Sequence, residues 1–423
     1  MQAYIVMAVM VLMIIAFVLN KWSFGLITLS CCAILGITGV LGPDKVFSGF
    51  ANPFVVMLAG CFVVTYALGK TSFIRSLQKQ IVKLQRGKSG ALLMLVFVVT
   101  TIILATFMPG PSLLAIIIVM AGNLSEEGEV NAARVILPAA AITTLWNGRI
   151  PFGLGAGQFA ILNGFLEPYS DITTLVGMFD PLKAALFPGI ALIIYTIFCY
   201  KLLPHKAVVK IDSEEVTASS APVMSKKNEI ITYVVFIAML IMMIFNRYTG
   251  NLLYIGPAVC AFVLVFAKVV TVEEGKKAIT ADLIFMLAGI FTLTAALSST
   301  GAGEMIGKGI LSLFGGASTE LGLIAMFGGI TIVLTNFMSN NASMYSIMPV
   351  AILTSVAAGI NPVPVMLTVD VASKCSYILP CSSGEAAMCF GGSGYTPKET
   401  MKFTFIAVVI YYVTMVLGMI VLF

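Results

Sequence analysis

The chain is 423 residues long, 59% hydrophobic and 10% charged, with a net charge of +5. Soluble domains carry about 25% charged residues, and a mean hydropathy of +1.04 is more than one globular core can hide. This excludes a soluble enzyme and a basic nucleic-acid-binding domain, and implies an all-α polytopic membrane protein of roughly ten spans at about 20 residues each.

The first apolar run, 4–20, follows a start without a positive segment, so it reads as a span rather than a cleaved signal. Further runs of spanning length lie at 24–42, 53–69, 180–200, 229–246, 252–269, 282–298 and 403–423. Residues 70–88 hold six basic residues and no acidic one, with Phe73, Ile74, Leu77, Ile81, Val82 and Leu84 near helical spacing. They predict an amphipathic helix on an anionic leaflet. Residues 89–122 and 320–356 are apolar on both sides of a polar or Pro/Gly break and predict re-entrant hairpins. Residues 131–165 and 363–394 read as broken helices, and 201–228 as a flexible polar linker between the halves.

Most of the 24 Lys and Arg fall on one side when the N-terminus is placed outside. Only Lys45, Lys183, Arg247 and Lys308 then lie outside, and Arg149 and Lys374 lie at membrane depth. The expected location is a bacterial inner membrane. The eight cysteines sit in or beside apolar segments without metal-type spacing, and the single His205 lies in the polar loop. No cofactor, metal cluster or nucleophile elbow is legible, so an enzyme is not expected. A channel is disfavoured because the broken hairpins do not read as pore-lining rings.

The chain repeats itself. Met57-Leu58-Ala59-Gly60 matches Met286-Leu287-Ala288-Gly289, 229 residues later, followed by Phe62/Phe291, Thr65/Thr294 and Leu68/Leu297. Phe107-Met108 before Pro109-Gly110-Pro111 matches Phe337-Met338 before Ser339-Asn340-Asn341, and Pro151 and Gly155 match Pro380 and Gly384. In the topology above the matching spans run in opposite directions. The chain therefore divides into a first inverted repeat, 1–200, and a second, 229–423, joined by the 201–228 linker. That is the arrangement of alternating-access carriers.

The polar breaks carry the chemistry. Thr335, Ser339, Asn340 and Asn341 stand amid apolar residues, where hydroxyls and amides are costly unless satisfied. Neutral oxygens there suit a monovalent cation, and helix N-termini at the same break suit an anion. The second break, Leu379 to Ala386, adds Ser382, Ser383 and Glu385. Its first-half counterpart holds Asn147 and Arg149. Arg149 is suited to a substrate carboxylate, or equally to a protein carboxylate such as Glu385. Asp370 and Lys374, four apart, predict an ion pair on one helix. Glu385 can carry a proton or ligate a cation.

Thr335, Ser339 and Asn340, the Gly/Pro breaks about 45 residues later and Gly391-Gly392-Ser393-Gly394-Tyr395-Thr396 resemble the divalent anion/sodium symporters of the ion transporter superfamily. The likeness covers nearly the whole chain, although the family has one more N-terminal helix. It implies a homodimer with scaffold and elevator-type transport domains that moves dicarboxylates, citrate or sulfate with sodium. It further implies a sodium site of Thr335, Ser339, Asn340 and carbonyls near Ser382, with Asn341 and Ser383 facing the substrate. The family's Ser-Asn-Thr tip motif becomes Ser339-Asn340-Asn341 here, whereas the first tip, Pro109-Gly110-Pro111, brings no cation-binding side chain and only Ser112 beside it. The expected function is secondary active transport of a di- or tricarboxylate. Sodium is the expected coupling ion. The substrate-binding set is Asn147, Arg149, Asn341, Ser383, Glu385 and Ser112. Proton coupling through Glu385, anion exchange, or an inorganic substrate such as sulfate are the alternatives.

Overall fold

The structure is a computed structural model that describes residues 1–19, 21–72, 90–122, 124, 128–151, 154–206, 224–244, 252–279, 281–313, 319–380 and 382–423. The expected amphipathic helix at 70–88 lies almost wholly outside the described residues, as does most of the 201–228 linker.

All regular structure among the described residues is helical. The first half holds α1 (Gln2–Leu19), α2 (Phe24–Ile37), the single turn α3 (Pro43–Val46), α4 (Pro53–Gly69), α5 (Gly90–Ala105), α6 (Gly110–Gly122), α7 (Ala132–Trp146), α8 (Leu154–Leu166) and α9 (Asp180–Cys199). The second holds α10 (Lys226–Ile244), α11 (Leu252–Phe266), the short α12 (Val272–Ala278), α13 (Ala281–Ser299), α14 (Ala302–Leu313), α15 (Glu320–Thr335), α16 (Asn340–Ala357), α17 (Pro362–Ala372), α18 (Gly384–Ser393) and α19 (Pro397–Leu422). Starts are fixed locally: Asn52 and Asn361 each cap a helix that opens on proline, accepting from Phe54 N at 2.9 Å and Val363 N at 3.1 Å.

Two helical stretches among the described residues, Asp180–Leu202 and Pro397–Leu422, are long and apolar enough to cross a membrane singly. A third arises if Ile284–Leu297 and Ala302–Gly309, bent by 84°, form one broken span. Shorter apolar helices of 10–17 residues include Pro53–Gly69, Gly90–Ala105, Ala132–Trp146 and Glu320–Thr335. At 1.5 Å rise per residue they fall short of about 30 Å of hydrocarbon. Lipid remains the natural solvent for the exterior: Phe405, Val409, Val413 and Leu417 are exposed on one stripe of α19, and Ile230, Val234, Ile237 and Ile241 on α10.

The first half of the chain packs on the second at two helix crossings. α4 packs on α11, and α13 packs on α2. Gly60 sits at the first crossing, where an added Cβ comes 2.4 Å from the Pro257 carbonyl carbon. Gly289 sits at the second, where a Cβ comes 2.5 Å from Thr28 Cβ. The four positions keep one offset, since 60 and 289, and 28 and 257, are both 229 apart. Side chains reinforce the second crossing: Asp282 Oδ1 accepts from Gly25 N at 2.9 Å, and Thr292 Oγ1 from Gly49 N at 3.1 Å. At the far end of α4 an ion pair joins Lys70 to Glu274, and this contact holds the Glu274 carboxyl below the usual carboxylate range.

Because the Gly60 neighbour is backbone, it cannot step aside. Gly60→Ala is expected to cost about 1–3 kcal/mol, the ordinary penalty of overpacking. Gly391, which has no atom within 4 Å of an added Cβ, is the matched control. Melting temperatures of the two variants in detergent give the comparison.

Candidate functional site

Two helix reversals and two interrupted helices meet at one place. α5 turns into α6 at 106–109, and α15 turns into α16 at 336–339. At the second tip Ser339 caps α16 by accepting from Ala342 N at 3.2 Å. α7 and α8 flank the break at 147–153, and α17 and α18 flank 373–383. There Ser383 caps α18, accepting from Ala386 N at 3.0 Å.

Asparagines fasten each reversal to its break. Asn147 Nδ2 donates to the Met108 carbonyl at 2.8 Å and the Ala105 carbonyl at 3.3 Å. Asn336 Nδ2 donates to Ile332 O at 2.8 Å and Cys375 O at 2.9 Å, while its Oδ1 accepts from Ile378 N at 3.1 Å. The sequence reading passed over Asn336. An amide between two apolar runs beside a Ser/Thr break was the available signal.

A cavity of about 430 Å³ lies among these parts. Asn147 and Leu154 line it from the first break, Pro109, Gly110 and Pro111 from the first tip, and Ser339, Asn340 and Asn341 from the second. Ser383, Gly384 and Glu385 close it with Lys374, and Phe62 and Thr144 complete the wall. Four helices, α6, α8, α16 and α18, thus present their first residues to one space. A helix N-terminus offers unpaired N–H groups and about half a positive charge. Four of them on one cavity make an environment for an anion.

The Thr335 hydroxyl lies beside this cavity. It donates to Ser373 O at 2.6 Å and stands 3.2 Å from Asn340 Oδ1. The hydroxyl has one proton, so its lone pairs and the other two oxygens remain available to a cation. Neutral oxygens of this kind fit a hard monovalent ion. Asn340 belongs to both sets, since it also lines the cavity. The expected cation set is only partly brought together. Thr335 and Asn340 meet, Ser339 is spent on its cap, and Ser382 Oγ turns to Ser376 O at 2.8 Å and Leu379 O at 2.6 Å.

Of the expected substrate residues, Asn147, Asn341, Ser383 and Glu385 line the cavity, whereas exposed Ser112 does not. Glu385 reaches across to the first tip: a Cβ on Gly110 would fall 2.1 Å from its Oε1. Only glycine leaves that carboxylate its place.

Arg149 departs most from its expected role. It is 1% exposed and does not line the cavity. Its guanidinium forms an ion pair with Asp370, neither side chain retaining any exposure. Arg149 Nε donates to Leu145 O at 3.0 Å and Nη2 to Asp370 O at 3.2 Å, and Gln158 Nε2 donates to Asp370 Oδ1 at 2.9 Å. The protein carboxylate that holds Arg149 is therefore Asp370, not Glu385. The expected Asp370–Lys374 pair is absent too. α17 ends at Ala372, and the chain then tightens, with Lys374 N on Val371 O at 3.0 Å and Cys375 N on Ala372 O at 3.1 Å. The four-residue rule holds only on a continuous α-helix.

Against known proteins, the model of the CitMHS family, described as citrate transporters, matches residues 6–370. The chain belongs to that citrate transporter family. An uncharacterized transporter of Haemophilus influenzae is 23% identical over 387 residues, covering 87% of this chain and 80% of the relative. A sodium-dependent dicarboxylate transporter of Staphylococcus aureus, SdcS, is 26% identical over 149 residues, covering 33% of this chain and 28% of that protein. Among solved structures, the YdaH transporter of Alcanivorax borkumensis superposes with a TM-score of 0.62 at 16% identity, covering 97% of both chains. MtrF of Neisseria gonorrhoeae superposes with a TM-score of 0.59 at 15% identity, over 91% of this chain and 84% of that one. The family is one of transporters, not enzymes, and agrees with the resemblance to divalent anion/sodium symporters. It makes the chain an integral membrane protein.

Proposed function

We propose that this member of the family is a secondary active transporter of a small organic anion of the di- or tricarboxylate class, coupled to sodium. The observation that carries the reading is the meeting of four helix N-termini on one cavity that shares Asn340 with the Thr335–Ser373 oxygen cluster. Carboxylates bind at the helix ends, and sodium binds the neutral oxygens. Because one residue serves both, each ligand raises the affinity for the other, and that linkage couples the two gradients. The sodium-dependent dicarboxylate relative supports the same choice of ions.

The paired crossings at Gly60–Pro257 and Gly289–Thr28, at one offset of 229, support two related halves, and the family resemblance supplies the further reading that they move as scaffold and transport parts of a homodimer in an inner membrane. One observation favours a second coupling mode. Glu385 lies against the start of α6, where an anion is favoured, so a proton on its carboxyl releases that position to substrate.

Thermal unfolding of the purified protein separates these readings. Succinate or citrate with sodium is expected to stabilise it by about 2.7 kcal/mol at a hundredfold excess over Kd, and choline in place of sodium to shrink the shift. A shift with sulfate alone makes the substrate inorganic. A carboxylate shift that ignores sodium and grows on acidification assigns the coupling to Glu385.

A further inference from the structure

The cavity walls carry a charge that the assignments above leave unused. Lys374 is the only basic residue lining it, and Glu385 the only acidic one, among the described residues. Lys374 is half-buried and makes no ion pair with any described residue. Its natural partner, Asp370, is taken on one side by Arg149 and on the other by Gln158. The tightened turn after α17 carries Lys374 away from that pair and into the wall of the cavity. Glu385 faces the same cavity and Asp370 lies near, but neither closes an ion pair with the ammonium, and a charged group so placed at membrane depth marks the path of a charged ligand.

We propose that Lys374 is the residue that receives a substrate carboxylate. This rests on the reading of the chain as a carboxylate transporter. The helix N-termini of α16 and α18 supply partial charge and N–H donors to the anion, and Lys374 supplies the one full positive charge fixed to the wall. Asp370 is the group that keeps this role open, because its pairing with Arg149 leaves the lysine free. A dicarboxylate then spans from Lys374 towards the second tip at Asn340 and Asn341. The first tip, Pro109-Gly110-Pro111, has no side-chain oxygen to hold a further cation, and a fixed ammonium meets part of the charge of the dianion.

The test is uptake of radiolabelled succinate and citrate into proteoliposomes by the parent protein, Lys374→Gln and Lys374→Arg. A charge-assisted bond of this kind predicts a KM about 10- to 100-fold higher in K374Q, with maximal rate largely kept. K374R restores most of the affinity, because the charge returns. Both variants are expected to melt close to the parent temperature, since no ion pair or side-chain hydrogen bond of Lys374 is lost. A merely structural lysine would instead lower the melting temperature and leave KM alone. Parent uptake with an unchanged KM in K374Q overturns this assignment and leaves the transporter reading intact. No carboxylate uptake by the parent overturns both.

Discussion

Arg149→Ala is expected to remove the folded protein, not an anion site. The guanidinium and the Asp370 carboxylate are wholly enclosed, and they join the first half of the chain to the second across 221 residues. Deleting one partner leaves the other charge in a low-dielectric interior. Losses of that kind run to about 3–5 kcal/mol. Asp370→Asn has the same consequence from the other side, although Gln158 keeps an oxygen to donate to. Replacing both with apolar residues, as in Arg149→Met with Asp370→Leu, removes the uncompensated charge and is expected to recover much of the loss. Membrane abundance and melting temperature of the two single variants and the double give the answer. An Arg149→Ala protein that accumulates normally, melts at the parent temperature and shows only a raised KM for carboxylate would return Arg149 to the substrate.

The second large effect belongs to the tip of the α15–α16 reversal. Thr335→Val keeps the shape of the side chain and removes the hydroxyl shared by Ser373 O and Asn340 Oδ1. Asn340→Ala removes the residue that also faces the cavity. Thr335→Val is expected to raise the sodium concentration for half-maximal uptake by about tenfold, equivalent to about 1.4 kcal/mol. Asn340→Ala weakens sodium and substrate together, and Ser339→Ala with Asn340→Ala abolishes uptake. The fold cost of losing the Thr335 hydrogen bond is about 0.5–1.5 kcal/mol. The variants therefore remain testable. Uptake with unaltered sodium dependence in Thr335→Val would remove the cation from this cluster.

Much of this geometry was legible in the sequence because the membrane makes polar residues conspicuous. The breaks at 106–109, 147–153, 336–339 and 373–383 stand out as interruptions of apolar runs, and the structure puts helix ends at each. Asn147, Asn341, Ser383 and Glu385 line the cavity for the same reason: polar groups at membrane depth need a polar space. What failed was pairing. Nothing local says that Arg149 meets Asp370, 221 residues away. The apparent Asp370–Lys374 pair relied on a helix that stops two residues before Lys374. The resemblance places the carbonyls near Ser382 at a cation, and the Ser382 hydroxyl itself is used within its own loop. Helix bounds were legible for the same reason as the breaks: the apolar runs at 53–69 and 180–200 are α4 (Pro53–Gly69) and α9 (Asp180–Cys199).

The most direct measurement is accumulation of a labelled C4 dicarboxylate in proteoliposomes under an imposed inward sodium gradient, beside an identical preparation under an inward proton gradient. The proposed mechanism predicts accumulation above equilibrium with sodium, and collapse of that accumulation when the sodium gradient is dissipated. Accumulation driven by protons alone, or by neither gradient, would contradict it.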